Sequence, residues 1–175
     1  DLSRAFQKSR IILTAYEMDV FTALGAKWKS SKEISDVIHA DHRGTDRLLN
    51  ALCAMKVLIK SGDKYKNSPV AAKFLVKGKS NFQTGLMHTV HLWDSWDTLT
   101  DAVRNGGLVQ HKPVEGRDDA WFSAFIAAMH GRAAKEAPEL ISKLNLAGVS
   151  RVLDVGGGSG AFSLAFVRAS ETIQA

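Results

Sequence analysis

The chain has 175 residues, of which 45% are hydrophobic and 23% are charged. This balance is typical of a globular protein rather than a disordered chain. The sequence has no apolar run of about 18 residues and no apolar stretch at its start, so it predicts a soluble cytoplasmic protein rather than a membrane or secreted one.

The net charge bears on nucleic-acid binding, and the cysteine content bears on disulfide bonding. The formal net charge is +5, but the basic residues are scattered, and the densest group, residues 56–66, contains Asp63. A solvated surface is therefore favoured over a nucleic-acid interface. Cys53 is the single cysteine and lies in an apolar helical segment, which predicts a small core residue rather than a disulfide.

The first part of the chain has two helix signals. Apolar residues recur at helical spacing from Leu2 to Leu24, and Gly25 follows as a stop, which predicts one long amphipathic helix. Ser30 and Glu33 have the spacing of a capping box, which predicts that a short second helix begins there.

A third helix and a hairpin are expected next. The dipeptide Gly44-Thr45 is expected to open the helix. Residues 57–60 and 64–66 are strand candidates on either side of a turn at Gly62. Three helices followed by a β-hairpin predict a winged helix.

Winged helices most often bind DNA, so a transcription regulator is one alternative function. The exposed side of the third helix offers Arg43, Arg47, Asn50 and Lys56, which is a small set of contacts, and Asp46 would face the phosphates. Because the set is small and includes an acidic residue, these side chains favour a role other than DNA binding for the winged helix.

Two further helical patterns lie between the hairpin and the C-terminal segment. The first covers residues 82–103 and is expected to end at residues 105–107, Asn-Gly-Gly. The second covers residues 121–129, and Pro138 is expected to kink or restart it.

Two histidine pairs have a spacing that could place both rings on one helix face. These pairs are His88 with His91 and His39 with His42. Neither pair has a cysteine cluster or a nearby carboxylate to complete a ligand set, so the sequence predicts no metal site.

A glycine-rich segment near the end of the sequence carries most of the functional information. Residues 151–155 are an apolar strand candidate that includes Asp154 and leads through glycines into a helix. Glycines let a ligand approach bare backbone, and a helix N-terminus supplies amide donors. One interpretation of this glycine-rich segment is a tight turn that binds no ligand. A dinucleotide site is another, because Gly156, Gly158 and Ala161 satisfy the G-x-G-x-x-A form.

The run Leu-Asp-Val-Gly-Gly-Gly-Ser-Gly at residues 153–160 resembles the first motif of class I S-adenosylmethionine-dependent methyltransferases. It is nearly verbatim the form found in the small-molecule O-methyltransferase family, which includes plant caffeate and acetylserotonin types and bacterial antibiotic types. The stretch Phe-Ile-Ala-Ala-Met at residues 125–129 is similar to that family's F-x-x-A-M stretch. The resemblance implies the N-terminal part of such an enzyme, with S-adenosylmethionine as its cofactor.

The resemblance also implies roles for individual residues. Those expected to bind the cofactor are Asp154, Gly156, Gly157, Gly158 and Ser159. Those expected to bind the substrate are Phe125, Met129 and His130. The family's catalytic base lies well beyond this motif, so no residue here is assigned that role, and we expect the isolated chain to be inactive.

The expected fold is mainly α and has three parts. Residues 1–80 form a winged-helix dimerisation domain, residues 81–149 form connecting helices that line the substrate pocket, and residues 150–175 begin a Rossmann-like domain with its first strand-helix unit. The expected function is methyl transfer to a hydroxyl of a small aromatic or polyketide-like molecule by a homodimer, without nucleic-acid or membrane partners. A DNA-binding regulator and a dinucleotide-binding oxidoreductase remain the alternatives.

Overall fold

The computed structural model describes residues 2–109 and 116–175. It divides into two compact units, residues 1–90 and residues 91–175. Helices dominate both units, so the mainly α part of the predicted fold is confirmed. The expected connecting segment, 81–149, includes residues 110–115, which lie outside the described residues. None of the helices in the two described ranges combines the length and hydropathy that spanning a bilayer requires.

The prediction of one long first helix is wrong, because the chain interrupts it at Asp19. A 3₁₀ turn, Leu2–Arg4, leads into α1 (Ala5–Glu17), and α2 (Val20–Leu24) follows the break. Asp19 has a φ of 61°, in the left-handed region that Asp tolerates better than most residues. The break gives α2 its own orientation, and four of its five residues are buried.

α3 (Ser31–Val37) begins with the predicted capping box. Glu33 N donates to Ser30 Oγ at 3.2 Å, and Ser30 N donates to Glu33 Oε2 at 2.8 Å. Each bond satisfies a backbone donor that the helix itself leaves without an acceptor. The bond from the Ser30 backbone is also the main reason that the pKa of Glu33 lies below its ordinary value.

α4 (His42–Ala54) begins earlier than the predicted opening at Gly44-Thr45. Its N-cap is Asp41, whose Oδ1 accepts from Gly44 N at 2.7 Å. Asp is among the most favourable N-cap residues, so this carboxylate sets the start of the helix.

The predicted hairpin is present. β2 (Leu58–Ser61) and β3 (Lys64–Asn67) pair antiparallel, and Leu58 lies opposite Asn67. Gly62 supplies the positive φ, 59°, in the turn between them.

A third strand and a short helix complete this unit. β1 (Lys29–Ser30) pairs antiparallel with β3, giving the strand order β1-β3-β2. Two residues carry no alternation of polar and apolar side chains, so the sequence pattern does not predict β1. α5 (Pro69–Phe74) has Ser68 as its N-cap, and the Ser68 side chain accepts from Ala71 N.

The core of the first unit lies among these helices and the hairpin. Asn67 is buried and donates to the Phe21 and Gly25 carbonyls at 2.8 and 2.9 Å, which joins β3 to the end of α2. The largest fully buried side chains are Tyr65, Phe21, Leu24, Ile34, Leu49, Leu52, Val20 and Ser35.

Two helices occupy the segment for which the pattern over residues 82–103 predicts one. They are α6 (Leu86–Asp97) and α7 (Leu99–Asn105), and Thr98 lies between them as the N-cap of α7. The predicted glycine stop is confirmed, because α7 ends at Gly106 with a φ of 71°.

α8 (Asp119–Ser142) runs through Pro138, so the helix does not restart there. α9 (Ala161–Ala169) packs against α8 in the second unit. The buried residues of this contact are Ala137, Ile141 and Ala165. It positions the glycine loop that immediately precedes α9.

Candidate functional site

The predicted strand over residues 151–155 is present only as an isolated bridge. Arg151 bridges Gln174 in parallel fashion, with Val152 N donating to Gln174 O at 2.8 Å and Gln174 N donating to Ser150 O at 3.0 Å. The prediction is wrong for the rest of the segment, where Leu153 is 87% exposed. A strand forms only with hydrogen-bonded neighbours, and in the described residues this segment has that one partner. The bridge nevertheless joins the residues just before the glycine loop to those that follow α9.

Three glycines give the loop its shape. Gly156, Gly158 and Gly160 have φ values of 76°, 55° and 70°, a region that favours glycine over other residues. Gly160 N donates to Gly157 O at 2.8 Å, which closes the last turn before the helix. A Cβ added at Gly156 or Gly160 would meet nothing within 4 Å, so open space adjoins the backbone at both positions.

Asp154 is held at the entrance of the loop. Ser163, on the first turns of α9, donates from Oγ to Asp154 Oδ2 at 2.7 Å. A Cβ built on Gly157 would lie 2.9 Å from the same carboxylate oxygen, closer than carbon and oxygen normally approach. The central glycine therefore makes room for the carboxylate, in addition to any ligand that the flanking glycines admit.

His130, on α8, contacts the loop directly. His130 Nδ1 and Ser159 Oγ are 2.9 Å apart, a hydrogen bond between residues distant in sequence. His130, which we expected to bind the substrate, therefore contacts Ser159, which we expected to bind the cofactor. The contact depends on the packing of α8 on α9, so the sequence pattern alone does not predict it.

The other two expected substrate residues lie on a different side of α8. Phe125 and Met129 are four apart and share one helix face, whereas His130 shares a face with Ala134. The Phe125 ring stacks on Trp121 with centroids 5.5 Å apart, and Met129 is 41% exposed. The structure therefore groups Phe125 with Met129 and places His130 at the loop.

A cavity of about 470 Å³ lies between α8 and α9. His130 and Ala161 line it at the end next to the loop, and Arg168 and Ala169 line it at the other end. Its wall is largely apolar, with Pro138 among the lining residues.

Metal-binding geometry is not found in the described ranges, where no three His, Cys, Asp or Glu side chains come together to hold an ion. The pairs His88 with His91 and His39 with His42 thus have no third ligand there.

Hydrogen bonds within the first unit occupy two of the side chains that a DNA-reading helix would present, Asn50 and Asp46. Asn50 Nδ2 donates to Asp46 Oδ2 at 2.9 Å, and Asn50 Oδ1 accepts from Lys60 Nζ at 2.7 Å. The hydroxyl of Tyr65 donates to Asp46 Oδ1 at 2.9 Å. Asn50 and Asp46 therefore serve the packing of α4 on the hairpin rather than an exposed surface.

Comparison with known proteins connects these features to a family. Residues 1–77 match the family model described as the O-methyltransferase dimerisation domain. Residues 1–77 are thus similar to an O-methyltransferase dimerisation domain. The predicted resemblance to the O-methyltransferase family is thereby confirmed.

Similar proteins extend the likeness beyond the dimerisation domain. The chain is 30% identical to a 3-hydroxy-5-methyl-1-naphthoate 3-O-methyltransferase of Streptomyces sahachiroi, over 92% of this chain and 48% of that protein. It is 28% identical to the N,N-dimethyltransferase OxyT of Streptomyces rimosus, over 91% of this chain and 49% of that protein. The chain thus spans about half the length of these relatives.

A solved structure has a similar fold. The structure of PigF with SAH matches with a TM-score of 0.83 at 21% identity, over 98% of this chain and 55% of that one. At this level of identity the likeness concerns the fold alone.

Proposed function

We propose that this chain is the N-terminal part of an S-adenosylmethionine-dependent O-methyltransferase that acts on a hydroxyl of a small aromatic or polyketide-like molecule. The observation that carries the proposal is the loop at residues 154–160, where Asp154 is fixed beside three positive-φ glycines at the start of α9. The dimerisation domain at residues 1–77 supports it independently.

The loop fits the amino-acid end of S-adenosylmethionine. Open space adjoins Gly156 and Gly160, so backbone there is accessible to a ligand. The carboxylate of Asp154 can accept from an ammonium group, and the first-turn amides of α9 can donate to a carboxylate. We assign cofactor contacts to Asp154, Gly156, Gly157, Gly158 and Ser159.

When bound, S-adenosylmethionine supplies an electrophilic methyl group on a sulfonium. The contribution of this chain's residues is binding and orientation, because in-line displacement needs the acceptor oxygen aligned with that methyl group. Removal of the hydroxyl proton requires a general base. The proposal assigns that role to none of these residues.

The acceptor contacts are assigned to α8. Phe125 and Met129 present an aromatic ring and a flexible thioether on one face, which suits a flat apolar acceptor. The relative from Streptomyces sahachiroi is named for a naphthoate, an acceptor of this shape. His130 lies at the end of the same stretch, where acceptor and cofactor would meet.

We further propose that residues 1–80 act as a winged-helix dimerisation domain and that the protein is a homodimer. Leu2 and Phe6 at the start of the chain are 95% and 56% exposed, which leaves apolar surface for a partner subunit. In this proposal residues 81–149 form the acceptor-binding helices, and residues 150–175 begin a Rossmann-like cofactor domain.

Calorimetry with S-adenosylhomocysteine tests the proposal on the complete polypeptide that contains this chain. We expect binding, and we expect transfer of labelled methyl groups to members of a panel of naphthols and hydroxylated quinones. Aromatic amines belong in the panel, because one relative is named an N,N-dimethyltransferase. Binding of NAD in place of S-adenosylhomocysteine would support the oxidoreductase instead, and failure to bind either would contradict a cofactor role for the loop.

A further inference from the structure

One face of α8 runs along α9 and ends at the glycine loop. Ala137 and Ile141 pack with Ala165 of α9, and Ala134 lines the cavity between the two helices. His130 is four residues before Ala134, so it lies on the same face, one turn nearer the loop. The apolar contact between α8 and α9 is thus followed, one turn nearer the glycine loop, by the polar contact between His130 and Ser159.

The loop has few restraints of its own. Ser159 lies between Gly158 and Gly160, and glycine loses more conformational freedom on ordering than any other residue. Within the loop, the bond from Gly160 N to Gly157 O closes one turn. The His130–Ser159 hydrogen bond ties the middle of this segment to a long helix that is already packed on α9.

We infer that His130 is a positioning residue for the cofactor loop: through Ser159, it holds the loop in the conformation that receives S-adenosylmethionine. This inference rests on the proposed function. It gives His130 a role in cofactor affinity, separate from contact with the acceptor and separate from proton removal.

A double-mutant cycle on the complete polypeptide tests the inference, with S-adenosylhomocysteine affinity and Tm as readouts. We expect His130→Ala and Ser159→Ala each to weaken binding by about 2- to 10-fold, the range for one hydrogen bond. The double variant should bind no more weakly than the weaker single variant, because both changes remove the same bond. His130→Asn places an amide near the position of Nδ1 and should restore affinity.

Arg132→Ala is the matched control on the same helix. Arg132 is exposed and pairs with Glu136 at 3.1 Å along the helix surface, so its loss should leave affinity unchanged. The His130–Ser159 bond is also exposed, so we expect Tm to stay within the range of the control.

The outcomes separate this inference from the proposed function. If the unaltered protein does not bind S-adenosylhomocysteine, the proposed function fails and the inference fails with it. If the unaltered protein binds but both single variants bind equally well, or if their effects add, the inference alone is overturned. A His130→Ala variant that keeps its affinity but loses kcat would assign the histidine to the acceptor or to proton transfer instead.

Discussion

The hydroxyl of Ser163 donates a 2.7 Å hydrogen bond to Asp154 Oδ2, which joins the first turns of α9 to the acidic residue before the glycine loop. The same oxygen lies within 2.9 Å of the position that a Cβ on Gly157 would occupy. The carboxylate is therefore directed from two sides, by a donor on the helix and by the absence of a side chain on the loop.

Ser163→Ala is expected to weaken binding of S-adenosylhomocysteine by about 3- to 10-fold, because a hydrogen bond to a charged group is lost and the carboxylate becomes free to rotate. Calorimetry on the complete polypeptide measures the change. Ser163→Thr keeps the hydroxyl and is the control, with affinity close to that of the unaltered protein. Equal affinity for the Ala and Thr variants would show that the bond does not position Asp154.

Gly157→Ala is expected to weaken the same binding by about tenfold or more, because the added methyl group displaces the Asp154 carboxylate. Gly158→Val should also weaken it, chiefly through strain at a φ of 55°, since a Cβ there meets only Gly156 O at an ordinary 3.8 Å.

Gly131→Ala is the control for these glycine changes. Gly131 lies inside α8, and a Cβ there would meet nothing within 4 Å. Alanine favours the helix over glycine by about 0.5–1 kcal/mol, so we expect a higher Tm and unchanged affinity. A loss of affinity in this control would mean that α8 tolerates no change near the site. The effect of Gly157→Ala could then not be attributed to displacement of the Asp154 carboxylate.

Local signals in the sequence predict local structure correctly in this protein. The Ser30–Glu33 capping box, the hairpin turn at Gly62 and the stop at Gly106 each depend on residues adjacent in sequence, and each is present. The shape of the glycine loop also depends on local sequence, because glycine adopts positive φ values more readily than other residues.

Features that depend on contacts between residues far apart in the sequence are not predicted from local sequence patterns. The break at Asp19 interrupts an otherwise regular apolar pattern, and its carboxylate pairs with Lys77 at 2.7 Å. Residues 151–155 have the composition of a strand, but among the described residues the segment pairs only with Gln174, through Arg151. The His130–Ser159 contact requires α8 to pack on α9, which no local pattern encodes.

Tyr65→Phe is expected to destabilise the first unit in a pH-dependent way. The Tyr65 hydroxyl donates to Asp46, and this bond is the main reason that the pKa of Asp46 lies below its ordinary value of 3.8. A carboxylate with a lowered pKa in the folded state contributes stability above its unfolded pKa, and the contribution is lost as pH falls through the folded pKa. We therefore expect a loss of about 1 kcal/mol in the free energy of unfolding near pH 7 and a smaller loss near pH 3.

Tyr16→Phe provides the comparison for the pH dependence. The Tyr16 hydroxyl donates to the Gln83 carbonyl at 2.9 Å, and that acceptor does not titrate. Urea unfolding at the two pH values should give the same loss for Tyr16→Phe at both. A loss for Tyr65→Phe that is equally constant would contradict the part assigned to Asp46.

Phe6→Ser is expected to shift the protein from dimer to monomer. Phe6 lies on α1, within the residues that match the O-methyltransferase dimerisation domain, and is 56% exposed in the single chain. Burial of that remaining surface in a partner contact would be worth about 1–2 kcal/mol. Serine forfeits that burial without disturbing the core. Light scattering over a range of protein concentrations measures the dissociation constant, which we expect to rise by about 10-fold or more. Lys8→Ser, a polar change at an exposed site on the same helix, should leave it unchanged. A monomeric unaltered protein would contradict the proposed homodimer. A Phe6→Ser variant that dimerises as tightly as the unaltered protein would show that Phe6 is not part of the interface.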